Sequence, residues 1–289
     1  MAVAISLQRL SVTYPGGFRR PPVQALRPLD LEVAAGAVLG VLGPNGSGKT
    51  TLLRAIAGLQ RPTTGTVRVL DLPPHDRALR RALSFLPDGP LPFGALSALQ
   101  FLRYMGALLQ LPAAAATARA QALLERLDLL GTGRRPLRSF STGMQKRLAI
   151  AAALLPEPRV LLLDEPTAGL DPLGSAVVMT ILQELAQAGC CVLLASHHLQ
   201  EVEQVCSEVI VLADGELRAR GTFDQLLGTD ATAVVVRGVD AAGLQAVTEV
   251  VRRSGGEVVR TERTRQHLFA LFRRLRPGGN GSGSGRQQA

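Results

Sequence analysis

The stretch GPNGSGKT, Gly43–Thr50, limits what this chain can fold into more than any other. It matches the phosphate-binding loop G-x-x-x-x-G-K-[ST], a loop that works only between a strand and a helix. Both flanks are as required. VLGVLG, Val38–Gly43, reads as a short buried strand, and a helix is expected from Gly48 to about Gly58. Glycines let backbone N–H groups turn inward around phosphate oxygens, and the helix N-terminus adds partial positive charge. Gly43, Pro44, Asn45, Gly46, Ser47 and Gly48 form the expected cradle, with Thr51 just inside the helix. Lys49 is expected to reach the β- and γ-phosphates, and Thr50 to offer its hydroxyl to Mg2+. Of 32 basic side chains only Lys49 and Lys146 are lysine, so the remaining thirty are Arg. A lysine at this position is therefore informative.

The rest of the chain alternates strands and helices. TVRVL, LSFLP, RVLLLDEP and CCVLLAS read as strands, as does EVIVLADGELRARG. Near the N-terminus, VAISLQRLSVTY reads as a strand pair or an edge strand. Positions 97–130 are rich in Leu and Ala at helical spacing, broken at Pro112, and look like a helical insertion. A further helix begins near Ser141 and stops before Pro156, and DPLGSAVVMTILQELAQAG reads as another, ended by Gly189. This alternation predicts an α/β fold with a parallel sheet. Aromatics are only 3% and Trp is absent, so the core must be aliphatic. The 289 residues suffice for one large domain and a small one. After about Thr229 the pattern restarts as ATAVVVRG, AAGLQAVTEVVRRSG, EVVRTER and HLFALFRRLR, a small β-α-β-α unit over 230–276. PGGNGSGSGRQQA, 277–289, reads as a disordered tail.

VLLLDEP, Val160–Pro166, supplies a second half to the phosphate loop. Asp164 at the exit of this strand is expected to hold Mg2+ directly or through water. Glu165, one residue on, is placed to polarise a water against the γ-phosphate. FSTGMQKR, Phe140–Arg147, is less transparent. Ser141 and Gly143 open a helix, which makes them either an ordinary N-cap or a second anion-binding turn. One nucleotide does not need two cradles in one chain. Two chains arranged head to tail would use both.

AGLDP, Ala168–Pro172, follows Glu165 at once, and SHH, Ser196–His198, follows the next strand. The phosphate loop, FSTGM, LLLDEP, AGLD and SH, in that order, resemble the nucleotide-binding subunit of ATP-binding cassette (ABC) transporters over roughly residues 3–229. The resemblance implies the ABC ATPase fold: a P-loop, RecA-like core, an N-terminal antiparallel β-subdomain and a helical subdomain at about 90–155, within a domain spanning 1–229, followed by a small C-terminal α+β extension. It also implies ATP and Mg2+ as ligands and a sandwich dimer with two ATP sites.

Roles follow by resemblance. Tyr14 falls where the family stacks an aromatic ring on adenine, although a Tyr on an edge strand is also ordinary. Ser141, Thr142, Gly143 and Met144 fall in the signature that meets the opposite subunit's ATP. Glu165 takes the place of the general base, Asp171 that of the residue coupling the two sites, and His197 that of the histidine contacting the γ-phosphate. His198 is the alternative, but His197 directly follows Ser196 at the strand end, whereas His198 enters the next helix. His75 and His267 read as surface residues. Two departures stand out. Asp88 in LSFLPDGP replaces the usual Gln that contacts Mg2+ and the attacking water. A carboxylate still ligates Mg2+ but adds negative charge beside the γ-phosphate. The alternative is that this loop mainly contacts the membrane partner. In the signature, Thr142 replaces Gly and Met144 replaces Gln.

The form GM followed by basic residues, with a C-terminal extension, resembles the ATPase subunits of ABC-2-type exporters. That implies a separate integral-membrane permease as partner, a homodimer or a paired ATPase subunit, and a place on the cytoplasmic face of the cell membrane. No run of about 18 apolar residues or signal peptide is present, and Cys190, Cys191 and Cys206 lack zinc spacing, which fits a reduced cytosolic protein. The net charge is +9, and 230–289 holds ten Arg against five acids. That balance suits an anionic surface or a solvated Arg-rich face. Two other readings stay open: a soluble ABC ATPase acting on nucleic acid or ribosomes, and a low-turnover regulatory subunit. The first lacks a long coiled-coil insertion or a second cassette, so no nucleic acid is expected.

Overall fold

Runs of Val, Leu and Ile become strands because sheet faces on both sides must be covered. The computed structural model describes residues 2–17, 21–197, 199–228 and 240–258. Strand β1 (Val3–Tyr14) lies between β2 (Val23–Ala34) and β4 (Thr64–Val69) in an antiparallel three-stranded sheet. VAISLQRLSVTY is thus one central strand, not an edge or a pair. It is long enough to engage β2 along one side and β4 along the other.

The second sheet has the order β5-β6-β7-β3-β8-β9. It contains β3 (Val38–Leu42), β5 (Leu83–Leu86), β6 (Val160–Asp164), β7 (Cys191–Ala195), β8 (Glu208–Ala213) and β9 (Glu216–Gly221). The first five in that spatial order run parallel, and β9 returns antiparallel to β8. The stretch EVIVLADGELRARG is therefore a hairpin, turned at Asp214 and Gly215, both with positive φ.

Alternation along each strand divides the apolar side chains between two cores. Leu161, Leu163, Val192 and Leu194 face one; Val160, Leu162, Leu193 and Ala195 face the other. The second core is completed by the antiparallel sheet and by helix α1 (Lys49–Ile56). The first is completed by α2 (Ala98–Leu108), α3 (Ala113–Arg126), α4 (Thr142–Leu154) and α5 (Pro172–Gln187). Pro112 separates α2 from α3 and caps the start of α3. Helix α4 is almost all Ala, Leu and Ile after its first turns, and nearly every such residue is buried. Helix α5 starts with Pro at its first position, where a missing N–H costs nothing, and is followed by Gly189 at φ 90°.

Short helices α6 (Leu199–Val205) and α7 (Phe223–Leu227) follow β7 and β9. The chain divides into two units, Met1–Leu226 and Leu227–Ala289. In the second, α8 (Ala241–Arg253) is capped by Asp240, whose carboxylate accepts from the Gly243 N–H at 2.8 Å. The segments ATAVVVRG and HLFALFRRLR, most of EVVRTER, the Gly/Ser tail, His198 and His267 lie outside the described residues. No described helix is long and apolar enough to cross a membrane.

Candidate functional site

Parallel pairing brings the functional segments to one edge of the sheet. Val41 and Asp164 are each level with Ala195, and Leu86 is level with Leu163. The C-terminal ends of β3, β5, β6 and β7 therefore open together, and the residues after them share that edge. In open α/β sheets this is where ligands bind. The residues in question are Gly43–Thr50 after β3, Asp88 after β5, Glu165 after β6 and Ser196–His197 after β7.

The phosphate loop has the backbone its glycines allow. Gly43 has φ 154°, and a Cβ there would lie 2.2 Å from the Leu212 carbonyl oxygen. Gly48, at φ 106°, caps α1, and a Cβ there would lie 2.6 Å from the Ala25 carbonyl oxygen. Neither position accepts a side chain. Lys49 folds over the loop, its Nζ donating to the carbonyls of Gly43 at 2.7 Å and Pro44 at 3.1 Å. The Ser47 hydroxyl is buried without a hydrogen-bond partner. A buried polar atom without a partner is costly, and a phosphate oxygen would satisfy it. Tyr14, at the end of β1, approaches α1 with its hydroxyl 3.3 Å from Thr51 Oγ1.

Thr50 and Asp164, 114 positions apart, meet here: the Thr50 hydroxyl donates to Asp164 Oδ2 at 2.7 Å. Asp164 is 3% exposed. Burial pushes its carboxyl above the usual range against the pull of the Thr50 hydrogen bond. The charges of Glu165 and Asp88 push the same way as burial, and Lys49 opposes them. Two hard oxygen donors side by side fit a small divalent cation that fills its shell with water and phosphate oxygens. No group of three or more His, Cys, Asp or Glu side chains among the described residues forms a metal site by itself.

Glu165 stands in left-handed backbone, φ 50°, with its N–H donating to the Ala195 carbonyl at 2.9 Å. A non-glycine residue there is strained, a feature that clusters at functional sites. The turn aims a side chain that is only 15% exposed, with Oε1 2.8 Å from His197 Nδ1. Glu165 Oε2 is buried with no hydrogen-bond partner. A second link joins the same two loops, since the Thr167 hydroxyl donates to Glu201 at the start of α6.

The FSTGM segment belongs to α4. Ser141 is its N-cap, accepting from the Met144 N–H at 3.2 Å, so the capping reading holds geometrically. Ser141 and Thr142 are also exposed. The AGLD loop packs onto this turn: a Cβ on Gly143 would lie 3.1 Å from the Gly169 carbonyl, and one on Gly169 2.9 Å from Thr142 Cγ2. Asp171 caps α5, accepting from the Gly174 N–H at 2.8 Å. Asp88 is 61% exposed and pairs with Lys146 at 3.0 Å, a partner that no local sequence signal points to. His75 is exposed, two residues before a 3-10 turn at Arg77–Arg80 that precedes β5.

A phosphate cradle, an adjacent Thr–Asp oxygen pair and a Glu–His pair at the ends of neighbouring parallel strands define a P-loop nucleoside triphosphatase. Comparison with known proteins narrows this. A family profile described as ABC transporter matches residues 26–168. The daunorubicin resistance ATP-binding protein DrrA3 of Streptomyces coeruleorubidus is 43% identical over 237 residues, covering 80% of this chain and 74% of its own. The daunorubicin/doxorubicin resistance ATP-binding protein DrrA of Streptomyces peucetius is 38% identical over 205 residues, covering 70% and 62% respectively. Among solved structures, the ATP-binding cassette MJ0796, a dimer in a post-hydrolysis state bound to ADP and Pi, superposes with a TM-score of 0.69 at 26% identity, over 75% of this chain and 98% of its own. The chain belongs to the ABC transporter family, as an ATP-binding subunit with ATPase activity.

Proposed function

We propose that this chain is the ATPase of an exporter, working as a head-to-tail dimer against a separate integral-membrane permease on the cytoplasmic face of the membrane. The observation that carries the reading is the Glu165–His197 pair beside the Thr50–Asp164 pair at the phosphate loop. Gly43–Thr51 bind the triphosphate of ATP, and Tyr14 stacks on the adenine. Thr50 and Asp164 are the residues that would hold Mg2+, with Asp88 beyond the neighbouring strand end. Bound Mg2+ would supply positive charge to the phosphate oxygens. Glu165 orients and deprotonates the attacking water, and Oε2, with no protein partner, is the atom free to do so. His197 steadies Glu165 and faces the γ-phosphate. Ser141, Thr142, Gly143 and Met144 complete the opposite subunit's site, and Asp171 couples the two.

Residues 1–229 form the ATPase domain, with the helical part at about 90–155, and 230–276 a small C-terminal domain. The similarity to daunorubicin resistance proteins supports export, and the dimeric cassette supports the shared sites. Glu165→Gln tests the chemistry. It is expected to retain ATP binding, to lose turnover by about 100-fold or more, and to accumulate as a dimer in ATP. Wild-type hydrolysis by that variant would refute the role of Glu165.

A further inference from the structure

Lys146 is one of two lysines in a chain with thirty arginines, and it is buried, at 7% exposure. Taking an ammonium group out of water is expensive unless a partner compensates. The partner is Asp88, whose Oδ1 accepts from Nζ at 3.0 Å. Each end of this pair belongs to a different part of the proposed reaction. Asp88 lies two residues beyond β5, whose last residue pairs with Leu163, next to Asp164. Lys146 lies in the second turn of α4, at i+3 from Gly143 and i+4 from Thr142, on the helix face those residues share.

From this geometry we infer that Lys146 is a positioning residue for ATP hydrolysis, tying the loop after β5 to the signature helix and matching the negative charge that Asp88 brings to the site. The inference rests on the site assignment proposed above. Without Lys146, the Asp88 carboxylate would stand uncompensated just beyond the strand end that lies beside Asp164, where like charges repel. A lysine suits the place because its charge is compact and its stem unbranched, whereas a guanidinium is broader.

The test is a double-mutant cycle on the full chain, reading kcat and KM for ATP. Lys146→Met keeps volume and removes charge, so a packing role alone leaves kcat as it is. The inference expects kcat about tenfold lower with KM within about twofold, and recovery to within about threefold of wild type in Lys146→Arg. In the double variant with Asp88→Asn, turnover is expected to fall no more than about threefold below the slower single variant. A wild-type kcat in Lys146→Met, or a double variant slower than that limit, overturns the inference. A fluorescent ADP analogue titrated into each variant establishes folding. If Lys146→Met fails to fold, Lys146→Gln carries the same cycle. Glu165→Gln serves as the control: wild-type turnover there sinks the site assignment, while a dead Glu165→Gln beside an additive cycle sinks only the role of Lys146.

Discussion

Asp164 shows how the site trades stability for chemistry. Its carboxyl is buried, and burial raises it above 3.8, the value of an unperturbed Asp. A carboxyl raised on folding costs the folded chain free energy wherever it is ionised. The cost is absent below the unfolded value and complete once pH rises past the folded one. Asp164→Asn removes the charge while keeping an oxygen to accept from Thr50. Near neutral pH the variant is therefore expected to melt a few degrees above the wild type without nucleotide, and the gain should shrink as pH falls toward 3.8. It should also lose the extra stabilisation by ATP with Mg2+. Calorimetry across pH checks both. Glu165 makes a comparable sacrifice in its backbone, held at φ 50° by its bond to Ala195.

At the scale of elements, β7 and its neighbours are sealed. Burial pushes the Cys190 thiol up to about 11, and the thiols of Cys191 and Cys206 up to about 12. Little thiolate exists at neutral pH, and none of the three side chains is exposed. Native protein is expected to take up almost no maleimide in the time that denatured protein labels all three cysteines, as mass spectrometry would show. Rapid native labelling would mean that β7 or the end of α6 opens. Which elements were legible follows from how local their signals are. The phosphate loop, the strand before Asp164, the cap at Ser141 and the stop at Gly189 each depend on a few adjacent residues, and the structure has them where the sequence puts them. Strand β2 escaped notice because Pro28 interrupts it, although Leu29, Leu31 and Val33 alternate as a half-buried strand should. The central place of β1 was hidden for another reason: neighbours in a sheet are chosen by distant chain segments. The Lys146–Asp88 pair is of that kind too, 58 positions apart, and the scarcity of lysine was its only trace.

For the whole molecule, the decisive matter is whether one chain or two make a site. The chain contains both a phosphate loop and a signature turn, and Ser141 is exposed at the start of α4. In the proposed head-to-tail dimer the loop of one subunit would meet the turn of the other, so each site would draw residues from both chains. Mixing two inactive full-length variants measures this directly. Lys49→Ala disables the loop, and Ser141→Arg blocks the turn. A mixed dimer then has one site built from two damaged parts and one built from two intact parts. If subunits exchange at random and the sites act independently, the mixture should recover about a quarter of wild-type ATPase activity, since half the dimers each carry one good site. Activity that stays at the level of the separate variants, under conditions where exchange is verified, would contradict the shared-site account.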